Sequence, residues 1–120
     1  MKSDSIRIAN CSGFYGDKLS VARDMIEGGP IDVLTGDYLA ELTMTILYNQ
    51  KLKRGEQHGY VGTFLKQFRD VAKLAQEKNI KIVTNAGGLN PSSMANSVKE
   101  IIDELNLDLK VCLLYTSDAA

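Results

Sequence analysis

Cysteine, proline, histidine and tryptophan are scarce: the 120 residues include two, two, one and none of them. Cys11 and Cys112 have no CxxC spacing, which excludes a disulfide scaffold and the common zinc motifs, so we expect reduced thiols. No apolar run approaches the roughly 20 residues of a transmembrane helix, and no apolar signal region precedes the first strand pattern. These absences predict a cytoplasmic protein.

An excess of either charge is also lacking, because 14 basic and 15 acidic side chains leave a net charge of −1. Without a broad positive field, nucleic acid and anionic membranes are not expected partners. The length suits one domain, and a hydrophobic content of 44% is ordinary for a globular protein. We therefore expect one folded domain, and the loops described below indicate a small-molecule substrate as its partner.

What the sequence does contain is an alternation of short β-branched runs and helical patterns. Strands are predicted at residues 5–9, 31–34, 80–84 and 109–114, and helices at 18–27, from 38 to near 52, at 60–78 and from 91 onward. The order β-α-β-α-α-β-α-β predicts an α/β fold. We expect a mainly parallel sheet with right-handed crossovers and helices on its faces, a Rossmann-like layering.

Helix ends carry their own signals. Gly28, followed by a second glycine and a proline, predicts a left-handed cap for the first helix. Asp37 is expected to be the N-cap of the second helix, whose buried stripe includes Leu42. Asn90 is expected to cap the fourth helix, with Pro91 at its first position.

Three turn-rich segments follow the first three predicted strands, at residues 10–17, 35–38 and 85–91. Loops that leave the carboxyl ends of parallel strands meet at one edge of a sheet, so we predict a ligand site there. Glycine amides before a helix could hold a phosphate or carboxylate, or they could only form the turn. The predicted ligand-binding residues are Asn10, Ser12, Gly13, Asp17, Asp37, Asn85, Gly87, Gly88 and Asn90.

Candidate catalytic residues are few, and we name Asp17, Asp37 and Cys11. Carboxylates at strand ends could transfer protons, although capping would also explain Asp37. Cys11 precedes a helix that could lower the pKa of its thiol, but a buried cysteine more often packs as a small apolar residue. The one histidine, His58, falls in a polar connection, and no cluster has metal-ligand spacing, so no metal site is predicted.

Two further features concern the same edge. Tyr15 and Tyr38 are expected there, where their rings either cover an acyl chain or only pack over the end of the sheet. Neither the dinucleotide-binding glycine fingerprint nor the P-loop is present, because the glycines in residues 13–18 have the wrong spacing for both.

Three strings, NCSGFYGDKLS at 10–20, MIEGGPIDVLTGDYLAELTM at 25–44 and TNAGGLNP at 84–91, strongly resemble the N-terminal region of the acyclic terpene utilisation (AtuA) family. The resemblance covers roughly residues 6–111. It implies catabolism of acyclic terpenoids or related branched acyl compounds through CoA thioesters. The resemblance supplies no set of catalytic residues, so only the three loops can be carried over from the family to this chain.

The end of the chain departs from that resemblance. Residues 112–120 resemble a translated sequencing adapter, which suggests a truncated reading frame with a non-native tail, and the alternative is an ordinary strand with a polar terminus. We therefore expect residues 1–111 to be the N-terminal part of an AtuA-like α/β domain. A truncated sheet would expose apolar surface and reduce solubility.

The resemblance and the loops together suggest binding of an acyl-CoA or branched acid, with hydration, hydrolysis or acyl transfer as possible reactions and a CoA thioester as the substrate. The alternative is a non-catalytic binding or scaffolding subunit of a carboxylase or hydratase pathway, and the chain could be a homo-oligomer or could bind a pathway enzyme. A Rossmann-like oxidoreductase is a weaker alternative because the fingerprint is missing.

Overall fold

Three short parallel strands in the order β1-β2-β3 form the sheet of this protein. The computed structural model describes residues 5–13 and 18–114. The elements are β1 (Ile8–Asn10), α1 (Val21–Glu27), β2 (Val33–Gly36), α2 (Glu41–Arg54), α3 (Thr63–Glu77), β3 (Lys81–Thr84) and α4 (Pro91–Glu104). The predicted α/β class is confirmed, and the seven elements follow the predicted order β-α-β-α-α-β-α-β up to its last strand.

The two faces of the sheet differ in what covers them. Ala9, Leu34 and Ile82 are aligned across the strands and pack in the core with α1 and α3. The strand order runs in one direction, and right-handed connections then place their helices on the same side. On the opposite face Ile8 and Val83 keep 65% and 52% of their surface exposed. The sheet is therefore covered on one face and open on the other.

Helix α3 joins the two halves of the core because its apolar residues lie on two adjacent sides. Phe64 and Phe68 belong to a cluster with α4, whereas Val71 and Ala75 belong to one with α1. Its apolar periodicity confirms the prediction of a long third helix. Helix α3 is thus the central packing element of the helical layer.

Ion pairs flank that helix on both sides. Arg23 of α1 lies 3.1 Å from Asp70, and Arg69 lies 2.9 Å from Glu104 of α4. The hydrogen bonds and charge of Asp70 raise the pKa of Arg23 above its ordinary value. All four side chains are exposed, so these pairs contribute little to stability.

The helix caps were predicted with mixed success. The Asn90 side chain accepts a hydrogen bond from the Ser93 amide at 3.2 Å, which confirms the N-cap of α4, and Pro91 occupies the first position. The left-handed cap at Gly28 is wrong, because its φ is −75°. Asp37 is not the N-cap of α2: that position is Ala40, and the Asp37 carboxylate instead binds the amide of Asn85.

Among the described helices, α2 has the smallest share of buried residues. Leu47 is buried, but Leu42, which was predicted to belong to the buried stripe, is 72% exposed. Tyr48 and Leu52 are also exposed, so apolar residues lie around much of this helix. Its apolar pattern is too diffuse to define one buried side, which is why the prediction for Leu42 was wrong.

The predicted fourth strand at residues 109–114 is absent from the described part of the chain. Exposure alternates along this segment as it would in a strand, and Leu109 and Val111 pack against the α3–α4 cluster. The alternation is thus explained by packing on other residues, without strand pairing. Separately, none of the described helices is long and apolar enough to span a membrane.

Candidate functional site

The carboxyl ends of all three strands line one shallow depression of about 300 Å³. We call this feature the rim depression. Its lining residues are Asn10, Thr35, Gly36, Asp37, Val83, Thr84 and Asn85. Asn10, Thr35 and Val83 are cross-strand neighbours on the open face of the sheet. The loops that the sequence placed at a common edge therefore do meet there.

Hydrogen bonds tie these loops to one another. The Asp37 amide donates to the Ser12 carbonyl at 3.0 Å, which links the second loop to the first. The Asn85 side chain links the third loop to the second, because its Nδ2 donates to Asp37 Oδ1 at 2.8 Å and its Oδ1 accepts from the Tyr38 amide at 2.9 Å. The rim is thus a cross-linked unit.

The other polar side chains of the lining are also engaged within the protein. Asn10 Nδ2 donates to the Ser12 carbonyl at 2.9 Å, and the Thr35 hydroxyl donates to Asn10 Oδ1 at 3.1 Å. The Thr84 hydroxyl donates to the Gly36 carbonyl at 2.9 Å. These bonds fix the orientation of the lining before any ligand is present.

Asp37 is the one charged residue of the lining. Its Oδ1 accepts from the Asn85 side chain and, at 3.3 Å, from the Leu39 amide. No hydrogen bond from the described residues reaches Oδ2. Within the described part of the chain, one oxygen of this held carboxylate is therefore free to accept a hydrogen bond from a ligand.

Three predicted ligand residues of the third loop lie in a packed turn instead of the lining. A Cβ on Gly87 would approach that of Pro91 to 2.7 Å. Gly88 has a φ of 55° and packs against Leu47, and Asn90 Nδ2 donates to the His58 carbonyl at 3.2 Å. The contacts of Gly88 and Asn90 hold the α2–α3 connection, whereas Gly87 packs against the start of α4. Ligand binding by these three residues stays a prediction.

The remaining candidates belong to the first loop. Ser12 is buried, whereas Gly13 is exposed with open space where a Cβ would be. Asp17 and Tyr15 lie outside the described residues. Cys11 is buried with its Sγ 4.0 Å from the Tyr38 hydroxyl, which in turn donates to Gln67. Tyr38 therefore belongs to the core of the helical layer.

Sequence reasoning missed four residues of the lining, namely Thr35, Gly36, Val83 and Thr84. The signal that could have found two of them is strand alternation: Asn10 is opposite Thr35, which is opposite Val83. The ligand-binding candidates were selected by residue type, and this selection favoured loop residues over the last residues of the strands. In the described part of the chain, no group of three or more metal-ligating side chains is present.

The fold places this chain among the open parallel α/β units, and the rim depression lies at the carboxyl ends of the strands, where such units commonly bind ligands. Within that class it belongs to the acyclic terpene utilisation family, because the model for "Acyclic terpene utilisation family protein AtuA" matches residues 6–120. The resemblance seen in the three loop strings is thereby confirmed. The match includes residues 112–120, whose non-native origin stays a prediction. No curated protein and no solved structure matches the chain.

Proposed function

We propose that this chain is the ligand-binding N-terminal part of an AtuA-family protein and holds an acyl-CoA or branched acid intermediate of acyclic terpenoid catabolism. The observation that carries the proposal is that all three strand ends line one depression. Open parallel sheets bind ligands at this position, and the hydrogen bonds between the loops preorganise it. Membership of the acyclic terpene utilisation family supports an acyclic terpene-derived compound as the ligand.

Asp37 is the residue that would transfer a proton to or from a ligand in this site. Its Oδ1 is held by Asn85 and the Leu39 amide, so the carboxylate has a fixed orientation. A carboxylate held in this way suits proton transfer to or from a bound ligand, as hydration or hydrolysis of an acyl thioester requires. Acyl transfer would need the same proton transfer at the attacking group.

The test is a titration of the ¹⁵N-labelled protein with butanoyl-CoA, 3-methylbutanoyl-CoA and free 3-methylbutanoate, followed by NMR. We expect the amide signals of Gly36, Asp37 and Asn85 to shift, and those of α3 to remain in place. Asp37→Ala should weaken the shifts, whereas Asp103→Ala, at an exposed carboxylate of α4, should not. If no compound shifts the rim signals, the proposal is wrong.

A non-catalytic scaffolding subunit is the second candidate, and the outer surface of α2 favours it. Leu42, Tyr48 and Leu52 are all more than half exposed, which is unusual for a helix that serves only its own core. The two candidates differ in one result. Asp37→Ala should abolish turnover of a bound thioester if the chain is catalytic, and should leave partner binding unchanged if it is a scaffold.

A further inference from the structure

The chemistry of the rim depression bears on which part of a ligand enters it. Of the seven residues that line it, Asp37 carries a negative charge and none is basic. A ligand carboxylate or phosphate would lie beside this carboxylate with no lining cation to offset the repulsion. The lining therefore disfavours an anionic group at this position.

Among the described residues, the lining retains a carboxylate oxygen as an acceptor and one side-chain N–H of each asparagine as a donor. The Thr35 and Thr84 hydroxyls each donate their hydrogen within the protein, and each of the two asparagine side chains already donates one. Asp37 Oδ2 accepts nothing from the described residues. The strongest free acceptor is therefore an ionised oxygen, which forms its strongest hydrogen bonds with an O–H or N–H donor.

Apolar surface continues from this polar end along the open face of the sheet. Val83 lines the depression, and Ile8 lies on the same face, two residues before Asn10 in β1. Both side chains are more than half exposed. Ile8 and Val83 lie on the two edge strands, about 10 Å apart across β2, and Val33 of β2 is the cross-strand neighbour of Ile8 on this face. A short branched chain that begins at Asp37 therefore meets Val83 first and extends across β2 toward Ile8.

We propose that the group entering the rim depression is a hydroxyl on a branched aliphatic chain, which donates to Asp37 Oδ2, with the hydrocarbon lying on Val83 and extending toward Ile8. This inference rests on the proposed function and narrows it. The compound is then either a free alcohol or a hydroxylated acyl thioester. The phosphates of a CoA thioester would lie outside the depression, and a free branched acid would bind poorly.

The test compares three compounds with one skeleton: 3-methylbutan-1-ol, its methyl ether 1-methoxy-3-methylbutane, and 3-methylbutanoate. Binding is measured at neutral pH from shifts of the rim amide signals in NMR titrations. We expect the alcohol to bind about tenfold or more tightly than either of the others, because only the alcohol donates to a charged acceptor. Equal binding of the three would overturn the inference.

Variants provide the second readout. Asp37→Asn should reduce the affinity for the alcohol about tenfold while leaving that for the ether unchanged. Asp103→Asn is the matched control on α4 and should alter neither affinity. An Asp37→Asn protein that binds the alcohol normally would overturn the inference, and the comparison of compounds on the unaltered protein stands even if this variant does not fold.

The thioester pair 3-hydroxybutanoyl-CoA and butanoyl-CoA distinguishes the two sources of the hydroxyl. Preference for the hydroxylated thioester supports a hydroxyacyl ligand, and preference for the free alcohol alone supports an alcohol. Failure of every compound to shift the rim signals would instead contradict the proposed function. Binding of the acid or the butanoyl thioester in preference to its hydroxylated partner would contradict only the hydroxyl inference.

Discussion

At the residue scale, Asn85 and Gly88 show two different reasons for a polar or glycine residue in the same loop. Asn85 donates to Asp37 and accepts from the Tyr38 amide, so one side chain fixes the neighbouring loop. Gly88 has a φ of 55°, a backbone conformation that favours glycine. Both types were predicted to face a ligand because sequence alone does not reveal which internal partners a residue has.

Gly88→Ala is expected to destabilise the protein by about 1–3 kcal/mol, because the backbone is left-handed and the added methyl has no room. A Cβ there would lie 2.5 Å from Leu47 Cδ1 and 2.9 Å from the Gly59 carbonyl oxygen. Urea denaturation measures the change. Gly62→Ala is the control, since its φ is −63° with open space around it, and it should alter stability by less than about 1 kcal/mol. Equal effects would contradict this account of Gly88.

At the scale of elements, predictability followed how clearly each segment divides into buried and exposed sides. The apolar residues of helix α3 lie on two adjacent sides, and the helix was predicted correctly from their spacing. Helix α2 has apolar residues on several sides, and there the prediction for Leu42 was wrong. Residues 109–114 alternate as a strand would, but alternation reports burial and does not supply a pairing partner.

Leu42 and Leu47 of α2 provide a test of that distinction. Leu47→Ala should lower the free energy of unfolding by about 2–5 kcal/mol, because Leu47 is fully buried beside Val61 and the third loop. Leu42→Ala should change it by less than about 0.5 kcal/mol, because that side chain is exposed. Urea denaturation of both variants is the measurement. A large decrease in the free energy of unfolding of Leu42→Ala would show that Leu42 does belong to the buried stripe, as the sequence predicted.

At the scale of the whole molecule, the strand order explains both the site and the open sheet face. The strands follow one another in a single direction across the sheet, so right-handed connections put α1 and α3 on the same side. The opposite face has no described helix. The sequence predicted the parallel order and the shared edge, because each loop follows its own strand. It did not predict the one-sided covering, since short strands such as Ile8–Asn10 show too few residues to indicate how many faces are buried.

Parallel sheets are ordinarily buried on both faces, so the open face should associate with a second apolar surface. We expect the protein to self-associate with rising concentration, and Ile8→Thr with Val83→Thr to weaken that association about tenfold, as measured by sedimentation velocity. The free energy of unfolding should change little, because both side chains are already more than half exposed.

The matched control removes apolar surface from the helical layer. Leu19→Thr with Met25→Thr changes two partly exposed residues in and just before α1, and association should remain as in the unaltered protein. If the α1 pair weakens association and the sheet pair does not, the contact lies on the helical layer, and the open face is then left to the ligand alone. If the sheet pair is effective, ligand and second copy compete for Val83, and saturating 3-methylbutan-1-ol should reduce association of the unaltered protein.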